Sequence, residues 1–265
     1  MRRPAVQWTI AILVTVVSAV WQRWSGPTYP IKGHADVAGQ TIAYRLERTN
    51  SITGRMPVII NTAGTGVSGT VEWRRFPTGD PWQTLTMVRK GESLETAIPP
   101  EPLPLMPMAG KLEYRVVLAK DGARVAIPET SAVARFKGDV PAWLLIPHVA
   151  AMFFGMLYSM RAAIAAVFGG DTRRWAFLAV ALLVFGGFVL GPMVQKLAFG
   201  EFWTGIPWGY DLTDNKTLIA GVAWILAATQ LRGGRQARLA VVAATILTMV
   251  VFAIPHSVWG SQAKW

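Results

Sequence analysis

The residues of this 265-residue chain that could do chemistry are few: three histidines, a small group of acids and some well-spaced methionines. His148 follows a proline, and His256 stands in Pro255-His256-Ser257. Two imidazoles far apart in sequence are the raw material of a transition-metal site or of a bis-histidine haem. Met152 and Met156 follow His148 at i+4 and i+8, roughly one helical face. Met249 precedes His256 by about two helical turns, and thioether with imidazole suits copper, above all Cu(I). Glu201, Asp211 and Asp214 share one aromatic, glycine-rich stretch. With His148 and His256 they would make a hard or borderline metal site. Glu201, Asp211 and His256 would equally serve as acid/base groups.

Each of these residues also has a plainer role. Histidine at a membrane boundary caps helices or meets headgroups, and methionine fills apolar helices. Thr213 or Asp214 fits the N-cap of a following helix, where an acid suits the dipole. Lys216 then falls inside that helix start and would snorkel to the surface. The third histidine, His34, begins a more polar region. Catalytic motifs are missing: there is no Gly-x-Ser-x-Gly, His-Glu-x-x-His, Walker loop or dinucleotide fingerprint. The chain has no cysteine, which excludes disulfides and thiolate chemistry.

What must position these residues is a membrane. The chain is 52% hydrophobic and 15% charged, against about 25% charged in an ordinary soluble domain. Residues 25–142 hold 14 Lys/Arg and 11 Asp/Glu, a soluble balance. The remainder holds 12 bases but only four acids, with the bases at the ends of apolar runs. A net charge of +11 distributed in this way argues against a nucleic-acid binder. Apolar runs fall at 6–20, 143–168, 175–197, 217–231 and 239–254, none with a charge in its central part. The first is short and ends in Val17-Ser18-Ala19, so residues 1–24 read as an anchor with a cleaved signal peptide as the alternative.

Short loops give the orientation. Arg2-Arg3, Arg173-Arg174 and Arg232, Arg235 and Arg238 share one side, which the positive-inside rule makes cytoplasmic. The loop 198–216, with Glu201, Asp211 and Asp214, lies opposite. The expected location is a bacterial inner (plasma) membrane, with the N-terminus cytoplasmic and the C-terminus periplasmic.

Residues 25–142 read as a periplasmic domain. Segments 41–48 and 69–76 alternate apolar and polar residues. Segments 82–88, 111–118 and 124–127 follow, with Asp121-Gly122 as a hairpin turn. Residues 98–107 carry five prolines and cannot form a central strand. Short alternating strands with frequent turns indicate an antiparallel β-sandwich, and the pattern resembles an immunoglobulin or fibronectin type III domain. This resemblance is of fold pattern alone.

The expected architecture is therefore membrane α + β: an anchor at 1–24, a sandwich at 25–142 and a four-helix transmembrane bundle at 143–265. The expected function is an inner-membrane subunit of a periplasm-facing assembly, among lipids and with a protein partner on the periplasmic side. Its outer-leaflet His/Asp/Glu residues would bind a metal, haem or quinone, with copper and haem the cofactors that the residue types suggest. The alternatives are a structural assembly protein without cofactor and a membrane enzyme using Glu201, Asp211 and His256.

Overall fold

The computed structural model describes residues 4–64, 66–231, 235–256 and 260. Arg2, Arg3 and Arg232, on which part of the orientation rests, lie outside the described residues, as do residues 261–265. The chain divides into two compact units. One gathers the described residues of Met1–Pro27, Val140–Leu197 and Glu201–Ser261. The other is built on Thr28–Asp139, with Ala198–Gly200.

The first unit is helical. It contains α1 (Pro4–Trp24), α2 (Ala142–Phe168), α3 (Thr172–Val184), a π-helical segment (Phe185–Leu190), α4 (Gly191–Phe199), α5 (Leu212–Thr229) and α6 (Arg235–Ala253). Among the described residues, three stretches are long and apolar enough to cross a membrane: Pro4–Trp24, Ala142–Phe168 and Thr172–Phe199. The segment Ala237–Ala253 is apolar but shorter.

The packing differs from that of a water-soluble protein. The interior is lined by small residues, among them Ala162, Ala166, Ala176, Ala179, Ala220 and Ala227. The large side chains Ile12, Leu13, Val17, Ile146, Val167 and Leu226 are exposed. In lipid, apolar side chains gain nothing by turning inward, so helix contacts are made by small residues that let backbones approach.

Glycines show how close that approach is. A Cβ on Gly155 would stand 2.8 Å from Leu183 Cδ2, and one on Gly186 would stand 2.9 Å from Ala151 Cβ and 3.3 Å from the Met152 backbone nitrogen. Gly186→Leu is therefore expected to destabilise the helical unit by about 1–3 kcal/mol or more, because backbone cannot yield as a side chain can. Thermal unfolding in detergent checks this; a melting temperature equal to the wild type's would show that α2 and the π segment are not held at this distance.

The π segment has a local cause. Pro192 lacks the N–H that an α-helix needs at that position, and its ring crowds the preceding turn. The turn widens, and the Gly191 N–H reaches back five residues to the Gly186 carbonyl.

The described residues of the second unit form ten strands: β1 (Ile31–Val37), β2 (Gln40–Leu46), β3 (Thr49–Ser51), β4 (Met56–Asn61), β5 (Ser68–Arg75), β6 (Gln83–Thr86), β7 (Val88–Lys90), β8 (Ser93–Ile98), β9 (Lys111–Lys120) and β10 (Ala123–Lys137). They form a hairpin β1-β2, a five-stranded sheet in the order β3-β10-β9-β5-β6 and a three-stranded sheet in the order β4-β8-β7. The larger sheet is mixed, because β3 runs parallel to β10 while the other pairings are antiparallel.

All three sheets contribute to one apolar core. Val37, Ile42, Val58, Val71, Leu94, Tyr114 and Phe136 belong to it. The period-two burial of β4 and β5 is what a sheet with one dry face requires. Tyr114 keeps its polar end satisfied by donating its hydroxyl to the Glu47 carbonyl at 2.6 Å. On the outer face, cross-strand pairs join Arg74 to Glu113 and Arg115 to Glu72, with Trp82 beside both guanidiniums. The proline-rich residues 99–107 form no strand.

Candidate functional site

The polar residues of the helical unit converge on the start of α5. Asp211 is the N-cap of that helix: its carboxylate accepts from the Thr213 N–H at 2.8 Å, while its own N–H donates to the Thr204 carbonyl. The cap thus lies earlier than Thr213 or Asp214, and α5 begins five residues before the apolar run. Asp214, Asn215 and Lys216 are consequently helical.

Asp214 is only 6% exposed and anchors the preceding loop. One of its oxygens accepts from the Thr204 N–H at 2.6 Å, the Thr204 hydroxyl at 3.2 Å and Gln195 Nε2 at 2.8 Å. Gln195 also donates to the Thr204 hydroxyl. Asn215 adds a second tether by accepting from the Ile206 N–H. Above them Trp203 stacks on Phe188 of the π segment, ring centroids 5.9 Å apart. Gly205 is required where the loop crosses α5, since a Cβ there would meet Asn215 and Asp214 at 2.7 Å.

Lys216 does not snorkel. It is 1% exposed, and its ammonium donates to the carbonyls of Ile254 at 2.7 Å and Pro255 at 3.3 Å, just past the end of α6. A cation at a helix C-terminus meets both the partial negative charge there and carbonyls that no helical N–H reaches. Asp211 lies within electrostatic reach of it.

His148 sits on α2, where Nδ1 is 2.9 Å from the Gly186 carbonyl. A carbonyl can only accept, so Nδ1 carries the proton and Nε2 keeps its lone pair in the neutral ring. The widened π turn is what presents that carbonyl. His256 is exposed and lies within electrostatic reach of His148, Lys216 and Asp211.

The remaining residues do not join this group. Glu201 is exposed, and His34 is exposed on β1, opposite Ala43 in the hairpin. Met152 packs into the apolar core beside Gly186, as does Met156 without that contact. Among the described residues no group of three or more His, Asp or Glu side chains is arranged to hold a metal ion. The metal set of His148, His256, Asp211, Asp214, Glu201 and Met152 therefore finds no support in the geometry. Asp211 and Asp214 are engaged in capping and anchoring.

Gln195 and Thr204 carry no signal in the sequence beyond their polarity, yet they complete the Asp214 network. Arg161, toward the C-terminal end of the second span, was not singled out in the sequence. It lies inside α2 and is 5% exposed.

The β unit has a separate surface feature, a groove of about 390 Å³ beneath the proline-rich loop, lined in part by Trp73, Pro99, Leu103 and Met106. The Arg75–Asp80 pair stands in its wall, and the hydrogen bond from Arg75 holds the Asp80 carboxyl below the usual carboxylate range.

No protein-family model, curated protein or solved structure matches this chain.

Proposed function

We propose that this chain is a membrane-anchored assembly protein of a bacterial inner membrane. Its helices hold a β domain on the periplasmic face, where the domain docks a soluble partner. In this reading the N-terminus is cytoplasmic, α1 is the anchor, and α2 to α6 make a four-helix transmembrane bundle, with α3, the π segment and α4 counted as one span. The β domain is a sandwich of the immunoglobulin or fibronectin type III pattern. The observation that carries the proposal is how the chemically capable side chains of the helical unit are used. Asp211 caps α5, Asp214 anchors the loop before it, and Lys216 closes the end of α6. These are the bonds of a scaffold. The groove beside Leu103 and Met106 is the natural seat for a partner segment.

A second reading rests on His148. Its fixed Nδ1 donor leaves Nε2 free as a ligand, which is how proteins orient metal-bound imidazole. His256 would then be the other ligand to a haem or to copper.

One preparation separates the two. Protein purified in detergent is expected to be colourless and metal-free. A photo-reactive residue in place of Leu103 is expected to give one discrete cross-linked partner in cells. A Soret band or stoichiometric copper that disappears in His148→Ala would overturn the scaffold reading in favour of the cofactor.

A further inference from the structure

Arg161 is buried in a helix long and apolar enough to cross a membrane, and among the described residues it has no acidic partner. Its Nε and Nη1 are both buried and have no hydrogen-bond partner among the described residues. Around the guanidinium stand aromatic rings. The Trp8 ring on α1 lies 5.4 Å from it and the Trp175 ring on α3 5.3 Å. Tyr158, one turn earlier on α2, stacks on Trp175 at 5.7 Å, and Trp8 meets both rings edge to face. Three helices therefore contribute to one aromatic cage around a single charge.

Cation–π contact stabilises such a charge but does not neutralise it. The nearest acid in sequence, Asp171, is engaged as the N-cap of α3, accepting from the Arg174 N–H at 3.0 Å. Arg173 and Arg174 add two more guanidiniums at the same turn, over Phe177 and Trp175. Residues 158–175, the end of α2 and the turn into α3, thus hold three arginines against one engaged carboxylate.

Depth decides what could supply the missing anion. α2 has 27 residues and so runs about 40 Å, some 10 Å more than the hydrocarbon core. Arg161 is seven residues from its C-terminal end, about 10 Å, which puts its Cα a few ångströms inside the hydrocarbon boundary. Headgroup phosphates lie just outside that boundary, within the reach of an arginine side chain, and tryptophan belts occupy the same interfacial layer. Guanidinium is the side chain best matched to phosphate oxygens.

We propose that Arg161, with Trp8, Tyr158 and Trp175, binds the phosphate diester of an anionic phospholipid. The rings hold the guanidinium at a fixed height and exclude water, and the unburied edge of the guanidinium donates to the phosphate. The site rests on α1 to α3 crossing a membrane and is independent of any partner of the β domain.

The test uses the full chain. Protein in phosphatidylcholine nanodiscs is compared with protein in discs that also contain phosphatidylglycerol, and inorganic phosphate is added to a detergent sample. Phosphatidylglycerol is expected to raise the melting temperature of the wild type and to be retained through extensive washing. Arg161→Met, which keeps the packing volume, is expected to bind it roughly tenfold less or worse. Its melting temperature in phosphatidylcholine alone reports whether it folds. Should Arg161→Met not fold, Arg161→Lys is expected to keep part of the phosphatidylglycerol effect. Equal melting of the wild type in the two kinds of disc would overturn the proposal. So would equal lipid retention by Arg161→Met, or stabilisation by inorganic phosphate as large as that by the lipid.

Discussion

Asp214→Ala is expected to destabilise the helical unit by about 2–5 kcal/mol and to make the loop before α5 sensitive to protease. The substitution removes one acceptor and strands its donors. The Thr204 N–H and the Gln195 amide both lose a buried partner, each at a cost of about 1–3 kcal/mol. Asp214→Asn is the informative control. All three bonds fall on one carboxylate oxygen, which an asparagine oxygen can replace, so the asparagine variant is expected to lose less than half as much. Thr204→Val placed in the alanine background should add little, because both substitutions break the same network. Thermal unfolding and limited proteolysis of residues 199–211 measure these effects. A wild-type melting temperature for the alanine variant would mean that the loop is held by Trp203 on Phe188 instead.

How much of this could be read from the sequence follows from the physics of each element. The long apolar helices were legible because the bilayer demands length and apolarity, which composition reports directly. The runs 143–168 and 175–197 match α2 and the α3–α4 stretch within a few residues. The start of α5 was displaced because the criterion was apolarity, whereas the helix begins where Asp211 can cap it. Lys216 was misplaced for a related reason. A lysine at a helix start is free to snorkel only if nothing nearer accepts its protons, and here the end of α6 offers two carbonyls. Only the tertiary fold brings that end close.

In the β unit, β5 alternates along its length and β9 over its first residues, and both were read nearly in full. β4 was missed because Pro57 interrupts a six-residue run; the strand tolerates it as an edge strand of its sheet, with Pro57 facing outward. The second half of β10 follows a register shift between Ile127 and Ala132, which breaks the period that sequence reading depends on. Arg161 was passed over because a single charge in a long apolar run barely alters its mean. What marks it is the set of rings around it. Tyr158 lies three residues away, but Trp8 and Trp175 come from other helices.

The most severe single loss is expected at Trp224, where α5 depends on its neighbours. α5 has 18 residues and runs about 27 Å, short of the roughly 30 Å hydrocarbon core, so its place in the unit is set by packing more than by its own apolarity. Trp224 is the largest fully buried side chain among the described residues. Its indole N–H donates to the Thr248 hydroxyl at 2.9 Å, and that hydroxyl donates onward to the Ala244 carbonyl, joining α5 to α6. Trp224→Ala empties the centre of the contact and is expected to cost about 3–5 kcal/mol. Thr248→Val keeps the volume and removes only the acceptor, so it should cost about 1 kcal/mol, the scale of a side-chain hydrogen bond between membrane helices. Trp224→Phe, which loses the N–H and part of the volume, should fall between them. The order separates two accounts of how α5 is held, and unfolding in detergent reads it. If Thr248→Val proves as damaging as Trp224→Ala, the hydrogen bond rather than the buried ring joins these helices, and the lining of small residues around Trp224 would be secondary to it.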